Sequence, residues 1–285
     1  KVKGWDDPRM PAIAGMRRRG YPAAGIRDFL GRIGIAKTDS LVDIQLLEHC
    51  IREELNTHAN RYMAVINPVK LVIENWPEGK IEWLEAVNNP EDPSAGIRKI
   101  PFSSTLYIDR DDFREVPPPK YYRLYPGNQV RLRYGYIVTC TGFEKNPTSG
   151  EIEKIRCVYD PNTRGGDAPD NRKVKGTIQW VCAIHAIPIE ARLYDHLFEA
   201  ERPMEVPEGK TFFDNLSDHS LTIESRAVAE PAVVEIEKGQ TVQFERIGYF
   251  CKDPESTSSL AVFNRTVTLR DTWAKIEKKF QEKPH

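Results

Sequence analysis

Asn60-Arg61-Tyr62-Met63-Ala64-Val65-Ile66-Asn67-Pro68-Val69-Lys70-Leu71-Val72-Ile73-Glu74 is where this chain changes its period. Before it, apolar residues recur every three to four positions; from Arg61 onward they come in short β-prone runs between turn residues. The first pattern reads as helices and the second as strands.

Upstream, Asp7-Pro8 predicts an N-cap followed by a proline at the first helical position, where its missing N–H costs nothing. Gly20 stands where that helix ends. Ile26, Phe29, Leu30 and Ile33 keep helical spacing in a second helix stopped by Gly34. Ser40 is expected to cap a third, with Asp43 three residues on in a box-like position. Leu41, Ile44, Leu47, Ile51 and Leu55 make its apolar stripe, which reads as core.

Downstream, strands are expected at Tyr62–Ile66, Val69–Glu74, Leu106–Asp109, Val130–Cys140, Glu151–Tyr159, Thr177–Ala183, Ile189–Leu193, Val233–Ile236, Thr241–Glu245 and Val262–Leu269. The 21 prolines fall mostly between them. Many short strands with frequent turns imply barrels or sandwiches, not a parallel sheet. The polar stretch Asn162–Lys175 reads as an exposed hairpin loop, Glu199–Gly209 as a connection and Lys278–His285 as a charged, frayed end. The expected class is therefore mainly β: two β-barrels behind an N-terminal α-helical segment.

The 285 residues allow one large domain or two to three smaller ones. No apolar run approaches a membrane span and no signal peptide opens the chain, so no membrane partner is expected. Cys50, Cys140, Cys157, Cys182 and Cys251 are odd in number and widely spaced, without a C-x-x-C. They read as reduced thiols of a cytoplasmic protein. The six histidines form no metal-ligand spacing, and no metal site is expected.

A net charge of −1 argues against indiscriminate polyanion binding. Residues 17–37 nevertheless carry Arg17, Arg18, Arg19, Arg27, Arg32 and Lys37 against Asp28 alone, and residues 120–133 carry Lys120, Arg123, Arg131 and Arg133 with no acid. Such segments suit local phosphate and base contacts, or are ordinary solvated faces. Arg131 and Arg133, two apart in an expected strand, share a face, and each guanidinium offers a planar fork of donors. Arg123 precedes them among Tyr121, Tyr122 and Tyr125. Single-stranded RNA is read by stacking splayed bases on aromatic or guanidinium planes and bonding their edges. Gln243 and Glu245 share another strand face, with Phe244 on the other side and Arg246 beside them. Arg17-Arg18-Arg19 has two readings. Consecutive helical residues point about 100° apart, so at most two face one phosphate partner, and one could instead hold Asp6 or Asp7. His185 reads as structural, and Trp76, Trp83 and Trp180 as core or barrel-closing. Asp109, Asp111 and Asp112 lack the glycine and terminal glutamate of a calcium loop.

Gly4-Trp5-Asp6-Asp7-Pro8-Arg9-Met10-Pro11 and Arg17-Arg18-Arg19-Gly20-Tyr21 resemble the segment downstream of the ATP signature loop in glutaminyl-tRNA synthetases. In family order follow Arg61-Tyr62-Met63-Ala64-Val65-Ile66, Ile108-Asp109-Arg110-Asp111-Asp112-Phe113-Arg114-Glu115, Gln243-Phe244-Glu245-Arg246, Val262-Phe263-Asn264-Arg265-Thr266-Val267 and Leu269-Arg270-Asp271-Thr272-Trp273. The two ATP-site motifs of a class I synthetase do not occur in the chain. The resemblance implies the carboxyl-terminal, tRNA-gripping part of a glutamine–tRNA ligase. No cofactor is expected here, with ATP and Mg²⁺ in the parent enzyme. The implied partners are glutamine-accepting tRNA and the catalytic domain of the same parent chain, not DNA. It further implies a linking segment at 1–60, a proximal barrel shared by 61–116 and 199–285, and a distal barrel at 117–198. Anticodon contacts are implied for Arg61, Asn56, Arg123, Arg131, Arg133, Lys120, Tyr122, Gln243, Glu245 and Arg246, with Lys120 and Tyr122 departing from the usual Gln and Lys. Backbone contacts are implied for Lys37, Thr38, Arg17, Arg18, Arg19 and Arg270. Two alternatives stand beside this: an archaeal or eukaryotic-type glutamyl-tRNA synthetase, and a free-standing RNA-binding β-barrel protein.

Overall fold

The computed structural model describes residues 2–35, 37, 41–166 and 168–270. Helices α1 (Ile13–Arg19), α2 (Ala23–Ile33) and α3 (Ile44–His58) come first. Strands follow: β1 (Arg61–Tyr62), β2 (Ala64–Val65), β3 (Pro68–Ile73), β4 (Glu82–Val87), β5 (Ile97–Phe102), β6 (Thr105–Asp109), β7 (Gln129–Leu132), β8 (Ile137–Lys145), β9 (Ile152–Asp160), β10 (Thr177–Ile178) and β11 (Val181–Cys182). The rest are β12 (Ile187–Tyr194), β13 (Leu221–Glu224), β14 (Val228–Ala229), β15 (Thr241–Phe244), β16 (Gly248–Lys252) and β17 (Ala261–Thr268). The fold is mainly β, with one nearly closed barrel, one half-barrel and a few N-terminal helices.

Contacts divide the chain into two compact units, 1–60 with 190–224 and 236–285, and 61–189 with 225–235. The first boundary falls at the change of period, Asn60 to Arg61.

In the first unit, α1 begins at Ile13 after an extended Ala12, not at Asp7-Pro8. The Asp7 carboxylate is engaged elsewhere, accepting from the Lys3 and Arg9 N–H groups and from the Arg9 guanidinium. Burial pushes Asp7 up, but these bonds outweigh it and hold the group at about 2. Gly20 closes α1 as expected, with φ 93° and its N–H on the Arg17 carbonyl. A Cβ there would also come within 2.4 Å of the Cys251 Cβ and 2.5 Å of the Thr241 Oγ1. Only glycine meets both demands. α3 begins at Ile44, capped by Asp43, which accepts from the Gln45 N–H; the expected cap Ser40 lies outside the described residues. Leu41 and Ile44 are exposed, so the buried stripe runs only from Leu47 through Ile51 to Leu55. These pack with Tyr249 and Val267 of the strand layer β15–β16–β17–β12, to which β13 adds along β12.

The second unit holds the sheet β10-β7-β8-β9-β3-β6-β11, the β4–β5 hairpin and the β2–β14 pair. The strands are not all antiparallel: β3 runs parallel to β9, and β10 parallel to β7. The expected strand Val130–Cys140 is two strands, because Tyr134 takes a left-handed φ of 60° and turns the chain before β8. Val233–Ile236 is no strand; most of it belongs to a 3₁₀ turn, Pro231–Glu235. Trp76, Phe102, Tyr136 and Tyr159 form an aromatic cluster in the core, with Trp180 edge-on to Phe102. Trp83 is half-exposed, with its ring against His185, and is not a core residue. No described helix is long and apolar enough to cross a membrane.

Candidate nucleic-acid interface

The second unit contains a cavity of about 460 Å³ whose walls carry Lys120, Lys173 and Lys175 together with Tyr121, Tyr122 and Tyr125. Among the described residues no carboxylate lines it. Prolines 117 and 118 hold one rim, and Gly127, Asn128 and Gln129, leading into β7, form another wall. Lys120 adopts φ 61°, a backbone state that β-carbon-bearing residues avoid and that occurs where surrounding structure imposes it. The Lys175 ammonium lies 5.3 Å from the Tyr122 ring centroid, a cation–π contact on a half-exposed ring.

Lys173 and Lys175 reach this cavity through sheet pairing. β10 docks parallel to β7, and the Arg131 N–H donates to the Gly176 carbonyl at 2.8 Å. At Gly176 a Cβ would meet the Tyr122 carbonyl at 2.1 Å, so the backbones touch there. The stretch Asn162–Lys175 is thus no hairpin loop: it connects β9 to a strand that pairs with β7. Reading the sequence missed both lysines. The signal available was the Lys173-x-Lys175 spacing ahead of a glycine, the same period of two as Arg131 and Arg133.

Arg131 and Arg133 alternate with buried Val130 and Leu132, as one strand face requires, although β7 itself ends at Leu132. The Arg133 N–H still donates to Ile178, and its guanidinium lies 4.8 Å from the Tyr134 ring centroid. Arg131 donates to the Thr163 carbonyl at 3.2 Å. Arg123 donates to the Asp111 carbonyl and pairs with buried Asp112 at 3.2 Å. Tyr121 donates to the same carbonyl, and burial pushes its hydroxyl up to about 12. Of the sequence candidates, Lys120 and Tyr122 line the cavity, whereas the three arginines do not. Arg61 opens the second unit, half-buried, on β1.

In the first unit, Phe244 is buried against Phe250 and Phe263, as expected. Gln243 and Glu245, however, are only 6% and 5% exposed, so the face they share is covered. Gln243 pairs with Tyr249 across β15–β16, and the Tyr249 hydroxyl donates to exposed Asn56 at 3.4 Å. Arg246 is exposed at the β15–β16 turn with φ 64°.

The arginine run separates into distinct roles. Arg18 donates to Asp253 at 2.9 and 3.1 Å, to Glu255 at 2.6 Å and to Asp6 at 2.8 Å. Arg19 is buried and donates to the Thr266 and Tyr194 carbonyls. Of the two readings of the run, Arg18 follows the one in which an arginine holds Asp6, and Arg19 is likewise engaged with protein groups. Arg17, Lys37 and Arg270 are exposed, while Thr38 lies outside the described residues, as do Asp271, Thr272 and Trp273.

A cavity of lysines and tyrosines without carboxylates can stack an unpaired base and neutralise phosphate, the requirements of single-stranded RNA reading. Residues 59–160 and 177–253 each match an anticodon-binding domain of class I (E and Q) tRNA synthetases, and residues 1–57 match the catalytic domain of that group. The chain belongs to the class I glutamyl/glutaminyl tRNA synthetase family. It is 56% identical over 274 residues to a glutamine–tRNA ligase of Bradyrhizobium diazoefficiens, covering 96% of this chain and 48% of that protein. Identity to the glutamine–tRNA ligase of Nitrobacter winogradskyi is 54%, over 96% of this chain and 48% of the relative. For that of Rhodopirellula baltica it is 51%, over 98% and 46%. The chain spans about half the length of the curated relatives it matches.

Proposed function

We propose that this chain is the tRNA-binding part of a cytoplasmic glutamine–tRNA ligase. It grips the anticodon arm while the rest of the parent chain activates glutamine with ATP and Mg²⁺ and transfers it to the terminal adenosine of the tRNA. The observation that carries this reading is the cavity lined by lysines and tyrosines, with no carboxylate among its described residues, most of whose lining falls in a segment matching an anticodon-binding domain. Lys120, Tyr122, Lys173 and Lys175 would hold one splayed nucleotide. Arg123, Arg131 and Arg133 would orient the neighbouring backbone and bases. Arg61 in the second unit is a further proposed anticodon contact, as the family resemblance implies; so, separately, are Asn56, Arg246, Gln243 and Glu245 in the first, the last two on a covered face. Arg17, Lys37, Thr38 and Arg270 would contact the tRNA backbone. In this reading the unit of 61–189 with 225–235 is one gripping element, and the strands of 190–224 and 236–285 form the other. The names of the relatives favour glutamine over glutamate.

The test is binding to an isolated glutamine anticodon stem-loop, with an unrelated hairpin of equal length as control, at one stated salt concentration, since phosphate contacts make affinity salt-dependent. Preferential binding of the anticodon stem-loop is expected. Equal affinity for both hairpins would refute base reading.

A further inference from the structure

Cys140 on β8 and Cys157 on β9 are direct cross-strand partners in an antiparallel pair. Both are free and buried. Opposed residues of this kind place their Cβ atoms about 4.5–5.5 Å apart, against about 3.5–4.5 Å in a disulfide. A small approach of the strands would close the bond. The register shifts between Cys140 and Gly142, leaving Thr141 as an extra, exposed residue. Such a bulge interrupts the ladder, so the strand can give beside Cys140. Among the other cysteines, Cys50 and Cys251 belong to the other unit, and Cys182 contacts Ser103 and His185.

The Cys140 thiol donates to the Gly142 carbonyl at 3.5 Å, across the bulge. Cys140 stands where the strand can give, so it is the attacking sulfur, and Cys157 opposite it in the regular strand is the resolving one.

Cys140 is tied to the cavity described above through both of its backbone polar groups. Its carbonyl accepts from the Gly127 N–H at 2.9 Å, and its N–H donates to the Asn128 carbonyl at 3.0 Å. Gly127 and Asn128 line that cavity. We propose that Cys140 and Cys157 are a redox-responsive pair that closes to a disulfide under peroxide and, in closing, displaces the Gly127–Asn128 wall. Its meaning as regulation of RNA binding rests on the functional reading given above.

The chemistry balances with hydrogen peroxide as the oxidant. The Cys140 thiolate attacks one peroxide oxygen, the O–O bond breaks, and hydroxide leaves to be protonated to water. Cys140 is then a sulfenic acid. The Cys157 sulfur attacks it, the S–O bond breaks, and a second water departs with the Cys157 proton. Two thiols have lost two electrons and peroxide has gained them.

The test treats the protein with peroxide, blocks residual thiols under denaturing conditions and maps the peptides by mass. The proposal expects a Cys140–Cys157 linkage, two of the five thiols lost and full recovery with reductant. Amide hydrogen exchange of Gly127 and Cys140, measured without RNA, should quicken on oxidation. Cys157→Ala should trap the sulfenic acid, detectable with dimedone; if that variant does not fold, the wild-type map decides. Retention of five thiols, a different pairing, or a bridge that leaves exchange at Gly127 unchanged would overturn the proposal. Anticodon stem-loop binding by the reduced protein is measured in parallel. Its absence would count against the RNA reading while leaving the thiol result standing.

Discussion

Arg18→Met separates the two roles available to the arginine run. Arg18 makes a two-pronged bond to Asp253, whose side chain is 0% exposed. Removing the guanidinium leaves that carboxylate with the Asn264 amide, the Glu255 N–H and Arg192, the last at 3.9 Å. Breaking a buried pair from one side costs about 3–5 kcal/mol; the residual Arg192 charge points to the lower end. The partners Glu255 and Asp6, which are half-exposed, add at most about 1 kcal/mol each. A loss of roughly 3 kcal/mol is therefore expected in urea denaturation at pH 7. Arg17→Met, on the exposed side, should cost less than about 0.5 kcal/mol. The pH dependence gives an independent check. Burial pushes Asp253 up, but bonds from Arg18, the Glu255 N–H and Asn264 outweigh it and leave the group below its ordinary value. Its stabilising contribution is present above the unfolded value of about 3.9 and is lost as pH falls through the lower folded value. Without Arg18, burial raises the folded value, and the carboxylate opposes folding at neutral pH. The gap between wild type and variant should therefore be full at pH 7 and narrow on acidification. A variant as stable as wild type but weakened in tRNA binding would refute the structural assignment of Arg18.

Lys175→Ala should weaken anticodon stem-loop binding and lower the slope of log affinity against log salt by about 0.7, the value for one phosphate contact on a single strand. A salt titration by fluorescence anisotropy reads both. Gly20→Ala must place a β-carbon at φ 93° and 2.4 Å from the Cys251 Cβ. The left-handed strain of about 1–2 kcal/mol and overpacking of about 1–3 kcal/mol should lower the urea midpoint clearly. His196 lies 3.2 Å from Glu48, whose bond raises the imidazole above its ordinary value. That contribution is full below the unfolded value of about 6.5 and is lost as pH rises through the folded value, so Glu48→Gln should flatten the stability profile across neutral pH.

What was legible in the sequence followed from local period. The helix-to-strand change at Asn60–Arg61, the stops at Gly20 and Gly34, and the shared face of Arg131 and Arg133 depend on neighbours within a few residues. Failures came where distant groups compete. Asp7 looked like a cap, but its carboxylate is occupied by Arg9 and the Lys3 N–H. Arg18 looked available for phosphate, but Asp253 lies 235 positions along the chain. Glu230 binds the Met63 N–H and Arg98, a junction no period announces. The parallel pairs β3–β9 and β10–β7 are equally silent, and β10–β7 is what carries Lys173 and Lys175 to the candidate cavity. Gln243 and Glu245 show the remaining limit. A two-residue period says that side chains share a face, not whether that face is covered.

The central claim is base-specific recognition of a glutamine anticodon. The most direct measurement compares the affinity of this chain for glutamine tRNA with that for the same tRNA altered only at its middle anticodon base. The account predicts a loss corresponding to about 1–3 kcal/mol, the magnitude that one mismatched base pair costs in protein–DNA sites. Equal affinity for the two tRNAs would contradict it, leaving a chain that holds the RNA backbone without reading it.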